Sequence, residues 1–242
     1  MTLDVVKIQR AGDTEPTVSS VVETLEEEIV LGVLYPRERL VEDELLSRFQ
    51  LKRHVVRQVL VELERMGLVE RKRNIGALVK AYSTEEVKNL YAVRELLETQ
   101  GARMIRFPVS EARLNALIAV QEQHDAAVTT GDMRRIFRLN VVFHREFFSL
   151  SDNPVLVAAI QDHAQRAHSI RASTMVLPER VEQARQEHWR LIDALRAGDT
   201  QRLVDLCSLH LSPSRDAYIE VQNRRSSTKS SKPADSERPL AQ

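Results

Sequence analysis

VEDELLSRFQLKRHVVRQVLVELERMGLVERKRNIGALVK, residues 41–80, is the stretch whose reading decides the fold. Leu45, Leu46 and Phe49 form one short apolar face, the segment from Gln50 to Lys52 interrupts it, and Val56, Val59, Leu60, Leu63 and Met66 resume it at helical spacing. Two helices joined by a tight turn follow from that pattern. Gly67 stands where a helix end favours a residue at ease with positive φ. After it, Leu68-Val69 and Ala77-Leu78-Val79 flank a polar tip of Arg71, Lys72, Arg73, Asn74 and Gly76. The tip reads as a small β-wing, and the order is that of a winged helix-turn-helix.

Arg53 and Arg57 lie four apart on the second helix and share the face opposite its valine and leucine stripe, with His54 and Gln58 beside them. An arginine fork can bond guanine O6 and N7 together, so Arg53 and Arg57 are the candidates for base readout. Lys52, His54, Arg71, Lys72, Arg73 and Gly76 are the candidates for backbone and wing contacts. Charge supports this face. The whole chain carries 35 Lys plus Arg against 35 Asp plus Glu, which argues against indiscriminate polyanion binding. Residues 47–80, however, hold nine cations against three acids, Glu62, Glu64 and Glu70. Segregated charge of this kind steers a polyanion to one side of a molecule.

Outward from that stretch the pattern is helical. Val21, Val22, Leu25, Ile29 and Val30 predict a helix over 18–31, preceded by a flexible segment 1–17. A polar joint at 82–84 opens a second domain, 82–221, with helices expected near 84–106, 110–130, 132–150, 154–175, 179–197 and 199–221. Pro108, Gly131, Pro154, Pro178 and Gly198 punctuate them. Residues 222–242 have almost no apolar content and read as a disordered tail. The fold class is mainly α, a winged head followed by an antiparallel bundle of six or seven helices. Seven glycines and 5% aromatics argue against barrels and sandwiches. A single cysteine, Cys207, excludes an internal disulfide, and no apolar run reaches the roughly 18 residues of a membrane span. A cytoplasmic protein with no membrane association is the expectation.

In the bundle, Asn140 and His144 lie i and i+4 on one helix and reach a common point, while His188 and His210 sit on or beside the apolar stripes of later helices. Imidazoles on facing helices can build a metal site; taken singly, each reads equally as a satisfied core histidine.

The chain from Val18 to Tyr218 resembles a GntR-family transcriptional regulator of the FadR subfamily, with an FCD-type effector domain. The resemblance rests on LGVLYPRERLVEDELLSRF, KRHVVRQVLVELERMGLV, NIGALV, LYAVRELLET, NVVFHREFFSLSDNP, EHWRLIDALRAGD and LCSLHL. It implies a homodimer on a near-palindromic double-stranded DNA operator, with a small carboxylate effector bound at a divalent metal, zinc or nickel, held by Asn140, His144, His188 and His210. It also implies that Arg94 points toward the effector cavity; Arg134, Arg138 and Arg171 could line it too, and the sequence does not select among them. His124, His163 and His168 fall outside the family spacing and read as ordinary helix residues. A repressor released by its effector is the expected behaviour. A metal-dependent enzyme, and a regulator whose pocket has lost its ligand, are the alternatives.

Two departures from the family pattern stand out. Lys52, His54 and Val55 replace the usual serine, threonine and proline at the start of the recognition helix, and Gln50 replaces glycine. A side-chain cap is lost, which costs about 0.5 to 2 kcal/mol, and Lys52 opposes the helix dipole, so Lys52 is expected to serve an operator phosphate. Asn140 replaces aspartate. An amide leaves a divalent ion's charge uncompensated, so weaker metal retention and a greater dependence on a bound carboxylate are expected.

Overall fold

The computed structural model describes residues 16–175 and 177–230. Thr17 caps α1, Val18–Val30, through a reciprocal capping box with Ser20. Val21, Val22, Leu25 and Ile29 turn one face of α1 into the head's core. A short strand β1, Arg39–Leu40, leads to α2, Glu42–Phe49, and α3, Arg53–Arg65. Then β2, Val69–Lys72, and β3, Gly76–Val79, form an antiparallel hairpin, with β1 on the far side of β3. Val56, Val59, Leu60 and Leu63 from α3 close the core against α1. The predicted helix-turn-helix and wing are therefore both present.

Backbone conformation explains the turns. Gly67 follows α3 at φ +73°, with the Leu68 N–H bonded to the Leu63 carbonyl, as a left-handed helix stop requires. Gln50 follows α2 at φ 55°, where only glycine avoids a Cβ clash, and its side chain donates to the Ser47 carbonyl at 2.6 Å.

Among the described residues the second part contains seven helices: α4, Thr84–Arg103; α5, Glu111–Thr130; α6, Met133–Ser149; α7, Pro154–Arg166; α8, His168–Met175; α9, Pro178–Ala197; and α10, Thr200–Ser230. Ser83, Asp132 and Asn153 cap α4, α6 and α7 with side-chain oxygens. Phe143, Phe147, Phe148, Leu191, Ile192 and Leu203 fill the centre.

Two expectations are corrected. The single helix foreseen over 154–175 is two helices parted at Ala167, with no proline or glycine at the break. Packing is the reason. α7 lies on α4 and α6, whereas α8 turns to lie on α1 and α10, and Ala167 and Ile170 are wholly buried at the corner. The tail expected from residue 222 is helical to Ser230. A helix already nucleated extends through residues that lack apolar groups, and no glycine or proline interrupts 222–230. Residues 1–15 and 231–242 lie outside the described residues.

Head and bundle are joined by a tyrosine pair. The Tyr82 hydroxyl donates to the Gly67 carbonyl at 2.9 Å, and the Tyr218 hydroxyl of α10 donates to the Tyr82 carbonyl at 3.0 Å. Burial pushes the Tyr82 phenol up to about 12, so it remains a donor. A Cβ on Gly67 would come within 2.9 Å of the Tyr82 hydroxyl and 3.0 Å of Arg166. Gly67→Ala is therefore expected to destabilise the protein by about 1–2 kcal/mol, and Gln50→Gly to stabilise it by about 0.5 kcal/mol, since relief of the left-handed strain exceeds the added chain entropy. Urea midpoints of the two variants should move in opposite directions.

Candidate functional site

On the head, α3 presents Arg53 and Arg57 to solvent with side chains 57% and 63% exposed. Both lean on the acidic first turn of α2. Arg53 meets Asp43 at 2.9 Å and Glu42 at 3.7 Å, and Arg57 meets Glu42 at 3.4 Å. Exposed pairs of this kind are worth at most about 1 kcal/mol, so a phosphate or a base edge can displace the carboxylates. Lys52 is the N-cap of α3 with extended backbone and no side-chain cap bond, and His54 is exposed beside it. Arg71, Lys72, Arg73 and Gly76 line an open groove with the two helix arginines. Arg39 of β1 lies in the same groove and was missed from sequence. Its signal was in LYPRERL, but only the strand pairing of Arg39 with Leu78 brings it to the wing.

The excess of cations over acids in 47–80 overstates the free charge. Glu62 holds Arg65 at 2.7 Å, Glu64 holds Arg71 at 2.7 Å and Glu70 holds Lys72 at 2.8 Å, while Glu42 and Asp43 enter from outside the counted stretch.

In the bundle, α6, α9 and α10 bring His144, His188 and His210 together, each offering one ring nitrogen within 4.8 Å of the others. The Nε2 atoms of His144 and His210 are 3.1 Å apart, and the Nε2 of His188 is buried with no hydrogen-bond partner. The outer nitrogens of two rings are occupied. His210 Nδ1 meets the Glu187 carboxylate at 2.6 Å and His188 Nδ1 meets the Gln121 amide oxygen at 2.8 Å. Burial, with neighbouring imidazoles and Arg171, holds His144 and His188 well below the usual histidine range. Their rings are therefore neutral and carry lone pairs. Three converging imidazoles, one buried and two half-buried, with one nitrogen unsatisfied and partners on two outer nitrogens, fit a divalent metal.

Asn140 lies one turn before His144 and lines a cavity with His124, Arg171, Glu187 and His210. Glu187 adds to the cluster a charge that Asn140 does not supply. Burial opposes ionisation of Glu187, but the bonds from His210 and Gln183 outweigh it and hold the carboxyl below its usual range. A negative charge thus stands directly behind one imidazole, where it offsets part of a cation's charge.

Arg94 is neither exposed nor free. Its side chain is 2% exposed, its Nε and Nη2 bond Glu98 at 3.0 and 2.9 Å, its guanidinium lies 4.9 Å from the Tyr91 ring, and its Nη1 is buried without a partner. It lines a cavity of ≈ 280 Å³ with Glu98, His144, Arg145, Phe148 and Arg171. Arg171 borders both cavities, and burial together with Arg94 brings it down to about 10, so it is still cationic at neutral pH. Arg134 and Arg138 do not line either cavity; both reach Glu27 on α1.

Two histidines set aside as ordinary are not. His124 is buried with its ring 5.3 Å from His188 and its Nδ1 unpartnered. His168 of α8 walls the larger cavity and donates from Nδ1 to Glu26 of α1 at 2.7 Å. Burial, against the pull of Glu26, holds His168 below its usual range, so this is a hydrogen bond from a neutral ring. No sequence spacing links residues 26 and 168. His163 bonds its own helix at the Ala159 carbonyl, as an ordinary helix residue does.

Comparison with known proteins agrees with the fold. Residues 17–79 match the model of bacterial regulatory proteins, gntR family, and residues 89–213 match the FCD domain. The HTH-type transcriptional repressor RspR of Escherichia coli K12 is 21% identical over 213 residues, covering 88% of this chain and 93% of that protein. The HTH-type transcriptional regulator LutR of Bacillus subtilis is 25% identical over 210 residues, covering 76% and 93%. Among solved structures, a GntR protein from Rhodococcus sp. RHA1 superposes with a TM-score of 0.71 at 19% identity over 84% of this chain and 97% of that one. Escherichia coli McbR/YncC gives 0.69 at 19% over 87% and 99%. These relatives and family models are regulators, which removes the enzyme alternative. With a gntR-type winged head on its N-terminal side and an FCD domain spanning the histidine cluster, the chain belongs to the GntR family and is a DNA-binding transcriptional regulator.

Proposed function

We propose that this regulator is a homodimeric, cytoplasmic repressor that leaves its operator when a small carboxylate binds beside a divalent metal, zinc or nickel, in the bundle. The observation that carries the reading is the set of converging ring nitrogens of His144, His188 and His210 next to Arg94 and Arg171. Asn140 completes the proposed donor set. A bound divalent ion would supply a Lewis-acid centre for a carboxylate oxygen. The chain's own cations do the rest. Arg94 lines the larger cavity with its buried Nη1 left unpartnered, and Arg171 adds charge in a site where burial strengthens it. A cavity of ≈ 280 Å³ suits a small acid. Preset imidazoles and a spare arginine donor favour this over a pocket that has lost its ligand.

On the operator, two copies would place α3 in successive major grooves, with Arg53 and Arg57 at base edges and Lys52, His54, Arg71, Lys72, Arg73 and Gly76 at the backbone. Exposed Val93 and Leu96 on α4 and Leu209 on the adjoining α10 offer an apolar face to the second copy.

The path from cavity to head runs through α1. His168 walls the cavity and holds Glu26, and Arg138 on α6, the helix of His144, holds Glu27. An acid that draws on α6 or α8 changes these contacts and shifts the balance of head positions.

Operator binding measured against salt tests the head. Arg53→Ala should lose about 1–3 kcal/mol at one base pair, whereas Lys52→Ser should weaken all sequences alike and reduce the salt slope by about 1; an unchanged slope removes Lys52 from the phosphate contacts. Metal analysis with a panel of carboxylates tests the bundle. His188→Ala should lose zinc and nickel and all response to acids while still shifting operator DNA, and tight operator release by an acid without metal would refute the reading. His168→Ala should still bind metal and acid, yet release DNA less on acid addition than the parent, by a factor of about 5 or more.

A further inference from the structure

Behind the histidine cluster runs a chain of hydrogen bonds whose polarity has one solution. Gln121 of α5 is completely buried between α5 and α9. Its oxygen faces His188 Nδ1 at 2.8 Å, and its nitrogen faces one oxygen of Asp125, a turn further along α5, at 2.7 Å. The other Asp125 oxygen accepts from the Trp189 indole N–H at 2.9 Å and lies 3.5 Å from Arg185. A carboxylate offers only acceptors, so the Gln121 amide must turn its NH₂ to Asp125 and its oxygen to His188. That oxygen can only accept. The proton of a neutral His188 ring must then sit on Nδ1, and Nε2 must carry the lone pair.

We infer that Asp125 is a positioning residue which, acting through Gln121, locks His188 in the tautomer whose Nε2 lone pair is presented to His144 and His210. The inference rests on the metal-binding reading for its purpose, but the lock is a property of the protein without any ion. Neither residue touches the cluster's centre, and neither belongs to the four proposed ligands. The sequence places Gln121 and Asp125 four apart on α5, and the fold places α5 against α9, so that one face of α5 meets His188 and Trp189 together. The unpartnered Nε2 of His188 follows directly, since a nitrogen that carries no hydrogen cannot donate within the cluster. Glu187 engages Nδ1 of His210 in the same sense from α9, so two of the three rings have their protons held on the outer side.

Long-range ¹H–¹⁵N NMR of the full-length protein, stripped of metal, tests this. His188 should show the shifts of a ring protonated at Nδ1 alone. Asp125→Ala frees the Gln121 amide to rotate, so His188 should become a mixture of tautomers and zinc affinity should fall about 10- to 100-fold. Adding Gln121→Glu to Asp125→Ala should restore the pure Nδ1–H form, because a carboxylate presents an oxygen to His188 whichever way it turns. An Nδ1–H ring that returns with Gln121→Glu separates positioning from mere packing of α5 on α9. A wild-type His188 protonated at Nε2 overturns the inference, and so does an Asp125→Ala protein whose His188 tautomer is unchanged. A wild-type protein with the expected tautomer that takes up neither zinc nor nickel overturns the metal reading instead.

Discussion

Three consecutive glutamates on α1, Glu26, Glu27 and Glu28, hold the molecule together, because each carboxylate is largely removed from water and has to be paired where it lies. A buried ion left alone costs several kcal/mol, far more than a surface pair returns. Glu28 turns into the head and is met by Arg48 of α2. Glu27 and Glu26 turn to the bundle, where Arg138 of α6 and His168 of α8 meet them. Spacing on one helix therefore decides both how α2 sits on α1 and how the head sits on the bundle. Rotation of the head by even part of a turn would leave these carboxylates without partners.

Charge acts differently at the two ends of the protein. On the head, Arg53, Arg57, Arg71 and Lys72 pair with acids that are about a third or more exposed, so the pairs are weak, screened by salt and open to exchange for phosphates. In the bundle, Arg94 is shut away from water and Arg171 is half-buried between the two cavities; burial and neighbouring imidazoles, with a smaller part from these arginines, act on the nearby rings. Imidazoles placed near them stay neutral. An anion entering that region would find fixed donors that need no reorganisation, and this is the physical basis for the proposed acid effector.

The two regions meet in α6 and α8. α6 carries Asn140 and His144 on the side of the histidine cluster and Arg138 toward α1, while α8 carries Arg171 and His168 at the cavity wall. α8 packs on α1 of the head and on α10 of the bundle at once. The break at Ala167 makes α8 separate from α7, so the two helices pack on different partners.

Much was legible in the sequence, because local rules govern it. Helical periodicity located α1 to α3 and most of the bundle, Gly67 marked a left-handed stop, and the i, i+4 spacing of Asn140 and His144 put both on one face of a helix. Resemblance to a family singled out His188 and His210, and the fold brings both within reach of His144. Periodicity is silent on partners distant in the chain. Nothing in a spacing rule ties Glu26 to His168, Gln121 to His188, or Arg39 to the wing, and nothing in composition ends a nucleated helix at residue 222. Those outcomes follow from burial, since a polar group taken out of water is stable only beside whichever partner the packed helices bring to it. The sequence by itself determined which faces are apolar and which helices form, and tertiary packing alone decided which charges and ring nitrogens must answer one another.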